Sequence, residues 1–288
     1  MGFAFRFGFL LLTLSFSWSA RALVATPISY YGKDFYSRLS DNTKDESLKA
    51  SIKFVLRSSH IKNDSGLDEI VADCTGRSNC YSHVVIGYGR ARQFLMGYFY
   101  LVKQNEGYGI REFYCDRIYS GVDFPGGKPG PDIVPDNKII NVEHTWPQSR
   151  FSRRFGQEGQ KSDLHHLYPT DSEMNSIRGN FQFGEVTANE KPLKCTTSHF
   201  GRSSDGRSNY VFEPPDSHKG AVARALFYFS VRYDLPISPE EEAVLRKWHR
   251  EHPVQADEVV RNDEVFKAQK NRNPFVDFPE IVDRIDNF

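Results

Sequence analysis

Between residues 139 and 183 the chain passes from an apolar run into a segment punctuated by prolines and acids, and few backbone paths fit that order. Ile139-Ile140-Asn141-Val142 is short enough for a strand and leads straight into Glu143 and His144, with Pro147 stopping its continuation. Leu164–Tyr168 reads as a second strand, stopped by Pro169. Thr170-Asp171-Ser172-Glu173 then reads as a helix start, with Thr170 at the cap and Glu173 three residues on. That helix carries Asn175 and is expected to end near Gly179. The order predicted is strand, loop, strand, helix. A carboxylate and an imidazole at one strand end then face an amide on the helix.

Those residue types suit phosphodiester chemistry. Glu143 and Asn175 offer oxygen ligands, which match a hard cation such as Mg²⁺ and leave positions for water and substrate. His144, neutral near pH 7, can take a proton from water once a hydrogen bond fixes its other nitrogen. A backbone carbonyl near Lys161–His165, on the antiparallel neighbour, is placed to do so. The residues alone leave the reverse assignment open, with His144 on the metal and Glu143 as base, because adjacent strand residues point to opposite faces. His165 and His166 suggest zinc together with His144, but a strand turns at most one of them toward the site. Asp163 reads as a brace for a loop or an arginine, and Trp146 as core. Arg178 reads as a phosphate contact or as an exposed ion pair.

Charge excludes a generally basic nucleic-acid binder: Lys+Arg and Asp+Glu both number 37. Any positive field must be local, and Arg150, Arg153, Arg154 and Lys161 crowd the central stretch.

The pieces, taken in order, resemble the endonuclease I family of periplasmic and secreted bacterial nucleases, within the ββα-metal (His-Me finger) group. They are Val142-Glu143-His144-Thr145-Trp146-Pro147, Ser162-Asp163-Leu164-His165, Glu173-Met174-Asn175 and Arg178-Gly179-Asn180-Phe181. Asp116-Arg117-Ile118-Tyr119-Ser120 upstream and Asn271-Arg272-Asn273-Pro274-Phe275-Val276-Asp277 downstream extend the likeness over roughly residues 80–288. The resemblance implies one divalent metal (Mg²⁺, or Mn²⁺ or Ca²⁺) on Glu143 and Asn175, with His144 as general base. It also implies a phosphate-contacting arginine among Arg150, Arg153 and Arg154, Asn180 tying the helix end, and 5′-phosphate products. His166 departs from the family pattern, in which asparagine is common at that place. The activity expected is cleavage of DNA and RNA without sequence specificity, through backbone phosphates. Two rivals stand beside it. One is an inactive, secreted polyanion-binding relative, the other a zinc hydrolase using His144, His165 and Asp163.

The remaining chain reads as scaffold. Residues 1–22 form a signal peptide, apolar from Phe3 to Trp18 with Arg6 and an Ala20-Arg21-Ala22 cleavage site. Its removal leaves 35 basic against 37 acidic side chains in a secreted or periplasmic protein, free of the membrane and expected to be monomeric. Export makes Cys74, Cys80, Cys115 and Cys195 disulfide candidates. Three pairings are open to sequence; Cys74–Cys80 with Cys115–Cys195 is the expected one, and no C-x-x-C pair supports zinc. Helices are predicted over 33–39, 45–60, 88–96, 220–233, 238–248 and 254–270, with Ser238-Pro239 opening the fifth. Asn63-Asp64-Ser65 is a glycosylation sequon or simply a turn, and 61–82 reads as loop. Residues 98–102 and 110–119 read as a hairpin, and 184–215 as loop with a strand at 210–212. The fold class expected is α+β. It is a mostly helical single domain over 23–288, with the ββα-metal motif at about 139–181.

Overall fold

Gly32–Ser40 (α1) and Asp45–Arg57 (α2) open a computed structural model that describes residues 27–207 and 209–288; the expected signal peptide lies outside them. Leu48, Ile52, Val55 and Leu56 are buried along one face of α2, as their helical spacing requires. Residues 61–82, expected as loop, instead complete a three-stranded antiparallel sheet. In it β1 (Ser59–Ile61) lies between β2 (Glu69–Val71) and β3 (Cys80–Tyr81). Strands of two or three residues hold too few alternations to be read as a period. Next comes α3 (Tyr88–Phe94), which runs on through a wider turn at Leu95–Phe99 rather than ending at Gly97. Gly97 serves close packing there: a Cβ would meet the Asp132 backbone at 2.9 Å.

A second antiparallel sheet orders β4 (Leu101–Lys103), β5 (Tyr108–Arg111) and β6 (Ile118–Ser120). The run 110–119, expected as one strand, breaks after Arg111 because the Glu112 carboxylate accepts the backbone N–H groups of Tyr114 and Cys115. The central hairpin pairs β7 (Ile140–His144) with β8 (Leu167–Asp171). Val142 stands opposite Pro169, Glu143 opposite Tyr168 and His144 opposite Leu167. Leu164–His166 is a single 3-10 turn, so the second strand starts later than expected and contains Pro169. A two-stranded ribbon has only edge strands, which is where a proline is tolerated.

Between these strands lies the short α4 (Gln157–Lys161). The metal-ligand helix expected from sequence is α5 (Ser172–Arg178), capped by Asp171 rather than Thr170. Asp171 Oδ1 accepts Glu173 N–H and Met174 N–H, both at 3.0 Å, from the last position of β8, one residue after Thr170. Gly179 ends the helix at φ +52°. A four-stranded sheet follows, with β9 (Gln182–Phe183), β10 (Val186–Asn189), β11 (His199–Ser203) and β12 (Tyr210–Glu213) in the order β10-β11-β12-β9. Only its last strand was legible in sequence.

The closing helices are α6 (Asp216–Tyr233), α7 (Pro239–Glu251), α8 (Ala256–Gln269) and α9 (Pro274–Asp277). Buried residues run round all sides of α6, which packs against α2, α7 and α9 as the axis of the core. Ser238 caps α7 with Pro239 at its first position, as expected. The class is α+β, with helices supplying most of the core. Among the described residues no helix is long and apolar enough to cross a membrane.

Both expected disulfides are formed, Cys74–Cys80 and Cys115–Cys195, and no described cysteine is free. Their loops differ greatly, with sequence separations of 6 and 80. Replacing Cys115 and Cys195 together by serine is therefore expected to cost about 4 kcal/mol, against about 2 for the Cys74–Cys80 pair. Urea unfolding of both double variants measures this; equal losses would show that chain entropy does not set the difference.

Candidate active site

The end of β7 delivers Glu143 and His144 to a cavity of about 470 Å³. Tyr88 and Arg92 of α3 line it, with Asn175 and Arg178 of α5 and Gln148 and Ser149 from the turn after Pro147.

His144 is only 6% exposed. Its Nε2 stands 3.0 Å from the Lys161 carbonyl oxygen. A carbonyl only accepts, so the ring proton sits on Nε2 and Nδ1 carries the lone pair. Burial pushes the imidazole down to about 3, helped by His166 nearby, so the ring is neutral at pH 7. The rings of Tyr88 and His166 stand 5.3 and 5.5 Å away.

Glu143 is 2% exposed, and burial raises its carboxyl to about 7 although Arg178 pulls it down. Arg178 Nη1 lies 2.6 Å from Glu143 Oε1. The Arg178 N–H groups, however, are aimed at the carbonyls of His144 (3.0 Å) and Thr145 (2.6 Å). Glu143 Oε1 thus has a charge beside it but no aligned hydrogen bond. Arg178, expected at a phosphate or in an exposed ion pair, is instead 1% exposed and braces the strand end from beneath. On α5, Asn175 Nδ2 donates to Asn141 Oδ1 at 2.7 Å, so its carbonyl end Oδ1 remains the acceptor at the cavity wall.

The expected arginines separate. Arg150 donates to the Asn180 carbonyl at 2.5 Å and pairs with Glu241 at 3.5 Å, next to the cavity wall formed by Asn180. Arg153 and Arg154 lie in an exposed turn and do not line the cavity; Arg154 pairs with Asp234 at 3.7 Å. Lys161 Nζ sits 4.8 Å over the Tyr88 ring. Arg92 is the cavity cation that sequence reasoning missed, although the run Tyr88-Gly89-Arg90-Ala91-Arg92 mixes an aromatic with bases. Asn180 ties the helix exit to Ser149 at 3.4 Å.

Asp163 is a brace: it accepts from Tyr228 and Tyr233 hydroxyls, each at 2.8 Å, and from Gln269 Nε2 at 2.7 Å, facing Arg232. His165 and His166 spend Nε2 on the carbonyls of Asn271 (3.2 Å) and Gln160 (2.8 Å). Trp146 is core, stacked on Phe229 at 5.4 Å. His144, His165 and Asp163 do not form a metal cluster. Among the described residues the one group of His, Cys, Asp or Glu close enough to hold an ion is Cys115, Asp171 and Cys195, and both its sulfurs are in a disulfide.

The sequence model of endonuclease I matches residues 108–280, from β5 through the hairpin and α5 to the C-terminal helices. The chain belongs to the endonuclease I family. It is 37% identical over 164 residues to the extracellular ribonuclease of Bacillus subtilis strain 168, covering 50% of this chain and 53% of that one. Endonuclease-1 of Buchnera aphidicola subsp. Baizongia pistaciae is 33% identical over 118 residues, 40% of this chain and 46% of its own. An extracellular deoxyribonuclease of Aeromonas hydrophila is 28% identical over 193 residues, 57% and 80% respectively. The chain spans about half the length of the Bacillus and Buchnera relatives it matches. The endonuclease I match begins after α3, so Tyr88 and Arg92 are cavity walls drawn from outside it.

Proposed function

We propose that the protein is an exported, metal-dependent endonuclease that hydrolyses phosphodiester bonds of DNA and RNA, its hairpin and helix serving as a ββα-metal site. What carries this reading is the meeting of Glu143, Asn175 and a neutral His144 with a fixed tautomer in one cavity. The donor set is all oxygen, which suits Mg²⁺, Mn²⁺ or Ca²⁺. A buried carboxylate with an oxygen lacking any aligned donor, its ionisation opposed by burial, fits a cation held there. Glu143 and Asn175 would hold one such ion, which when bound supplies Lewis-acid neutralisation of the phosphate and the leaving oxygen.

The chain's own residues do the rest. The Lys161 carbonyl fixes the His144 tautomer, and Nδ1 accepts the proton of the attacking water. A phosphate in the cavity favours the imidazolium that forms, raising the basicity that burial suppresses. Asn141 holds Asn175, and Arg178 holds the β7 end that presents Glu143. Arg92 lines the cavity and is offered to phosphate, Arg150 stands behind the Asn180 wall and Lys161 beside Tyr88, and Arg153 and Arg154 remain for flanking nucleotides. Such contacts position the backbone without reading bases. The relatives named ribonuclease and deoxyribonuclease support both substrates, and the expected products carry 5′-phosphates. Two disulfides and relatives named extracellular or periplasmic support export.

Plasmid nicking is expected to stop with EDTA and to return with Mg²⁺ or Mn²⁺. Cleavage undiminished by EDTA would reject the metal, and no nicking with Mg²⁺, Mn²⁺, Ca²⁺ or Zn²⁺ would support an inactive polyanion-binding relative.

A further inference from the structure

One cavity side chain has no part in the steps above. Gln148 opens the 3-10 turn Gln148–Arg150 directly after Pro147. The backbone there is pinned, Arg150 N–H to the Pro147 carbonyl at 2.9 Å and Phe151 N–H to the Gln148 carbonyl at 3.1 Å. The residue itself is exposed at the cavity wall, with Nε2 at 3.3 Å from His144 Nδ1. Because Lys161 engages His144 Nε2, Nδ1 is the only ring nitrogen able to take a proton, and the carboxamide rests on it. At that distance the contact is a weak hydrogen bond that water can displace.

We propose that Gln148 is the positioning residue for the attacking water. Its carboxamide yields Nδ1 to the water, turns about its terminal torsion and accepts the water's second hydrogen through Oε1. That torsion is soft, so the turn is cheap. One O–H then points at His144 Nδ1, the other at Gln148 Oε1, and an oxygen lone pair is left to face phosphorus. In the reaction the water oxygen bonds to phosphorus and its proton passes to Nδ1. The bond from phosphorus to the leaving sugar oxygen breaks, and the electron pair departs with that oxygen. A neutral amide fits both states: it donates to Nδ1 at rest and accepts from water in the working state. A carboxylate cannot do the first, nor an ammonium the second.

The inference rests on His144 as the base, so His144→Ala is run beside the test. Steady-state rates are measured with Mg²⁺ on duplex DNA and on a p-nitrophenyl nucleotide diester, whose leaving group needs little help. Gln148→Met keeps length but loses the acceptor. It is expected to lower kcat roughly 10–100-fold on both substrates with KM nearly unchanged, since misplacing a reacting group by about an ångström costs that order. A wild-type kcat in Gln148→Met with an inactive His144→Ala overturns the inference alone. A raised KM at unchanged kcat makes Gln148 a substrate contact and overturns it too. A loss confined to DNA assigns Gln148 to the leaving group and likewise overturns it. An active His144→Ala removes the base and the inference together.

Discussion

His144→Ala is expected to slow DNA cleavage by roughly 10²–10⁴-fold while the protein still folds and still binds metal. In the proposed mechanism the ring supplies the proton acceptor at Nδ1, whereas Glu143 and Asn175 supply the ligands. Truncation leaves the Lys161 carbonyl without its partner, which costs about 1–3 kcal/mol and is survivable. Single-turnover cleavage gives the rate, and calorimetric Mn²⁺ titration against Glu143→Ala gives the ligand role. If His144→Ala loses metal affinity as fully as Glu143→Ala, the two residues have exchanged roles. Activity within tenfold of the parent takes His144 out of the mechanism.

Acid is expected to unfold the protein well before its carboxylates are neutralised. Burial pushes His165 and His218 down to about 3 and His166 to about 4. Nδ1 of His165 and of His166, and both nitrogens of His218, have no partner, so protonation would bury an unmatched N–H. These folded values lie below the unfolded value, so the stability they contribute is complete above about pH 6.5. As pH falls from there toward 4, the unfolded chain binds protons that the folded one refuses. Each group then removes about 1.4 kcal/mol per pH unit, about 4 for the three. Glu143 and His144 shift in opposite senses and largely offset each other over this window. Against a total of about 5–15 kcal/mol, the urea midpoint should fall steeply between pH 6 and pH 5. A flat midpoint there would mean that these rings find partners on protonation.

The placement of the hairpin's polar side chains was legible because it is local. Glu143, His144 and Asn175 sit where strand and helix signals in their own neighbourhood put them. The details that failed needed a neighbour to decide them. Thr170 and Asp171 are both competent caps, and the choice fell to Asp171 because the ladder runs one residue past Thr170, to the pair Ile140–Asp171, before the helix begins. Pro169 looked like a strand end because nothing in the sequence says that β8 has only one partner. Arg178 misled for another reason. Charge carries no mark of burial, and only the fold shows two main-chain carbonyls and Glu143 converging on it. Arg92 reaches the cavity from a helix far upstream, a proximity that no motif encodes.

The β7–β8 ribbon also sets where such a chain can change length. Five residue pairs, Ile140–Asp171 to His144–Leu167, hold Glu143 and His144 in register, and each strand has the other as its only ladder partner. One residue inserted between Ile140 and Glu143 would turn the carboxylate and the imidazole each to the face opposite its present one and so lose both proposed roles at once. The exposed turn at Gln104–Gly107 can lengthen without moving that ladder, since its single closing bond joins its own ends. Changes in length are thereby tolerable in the outer loops and not in the ribbon, which acts as the fixed ruler from which they are measured.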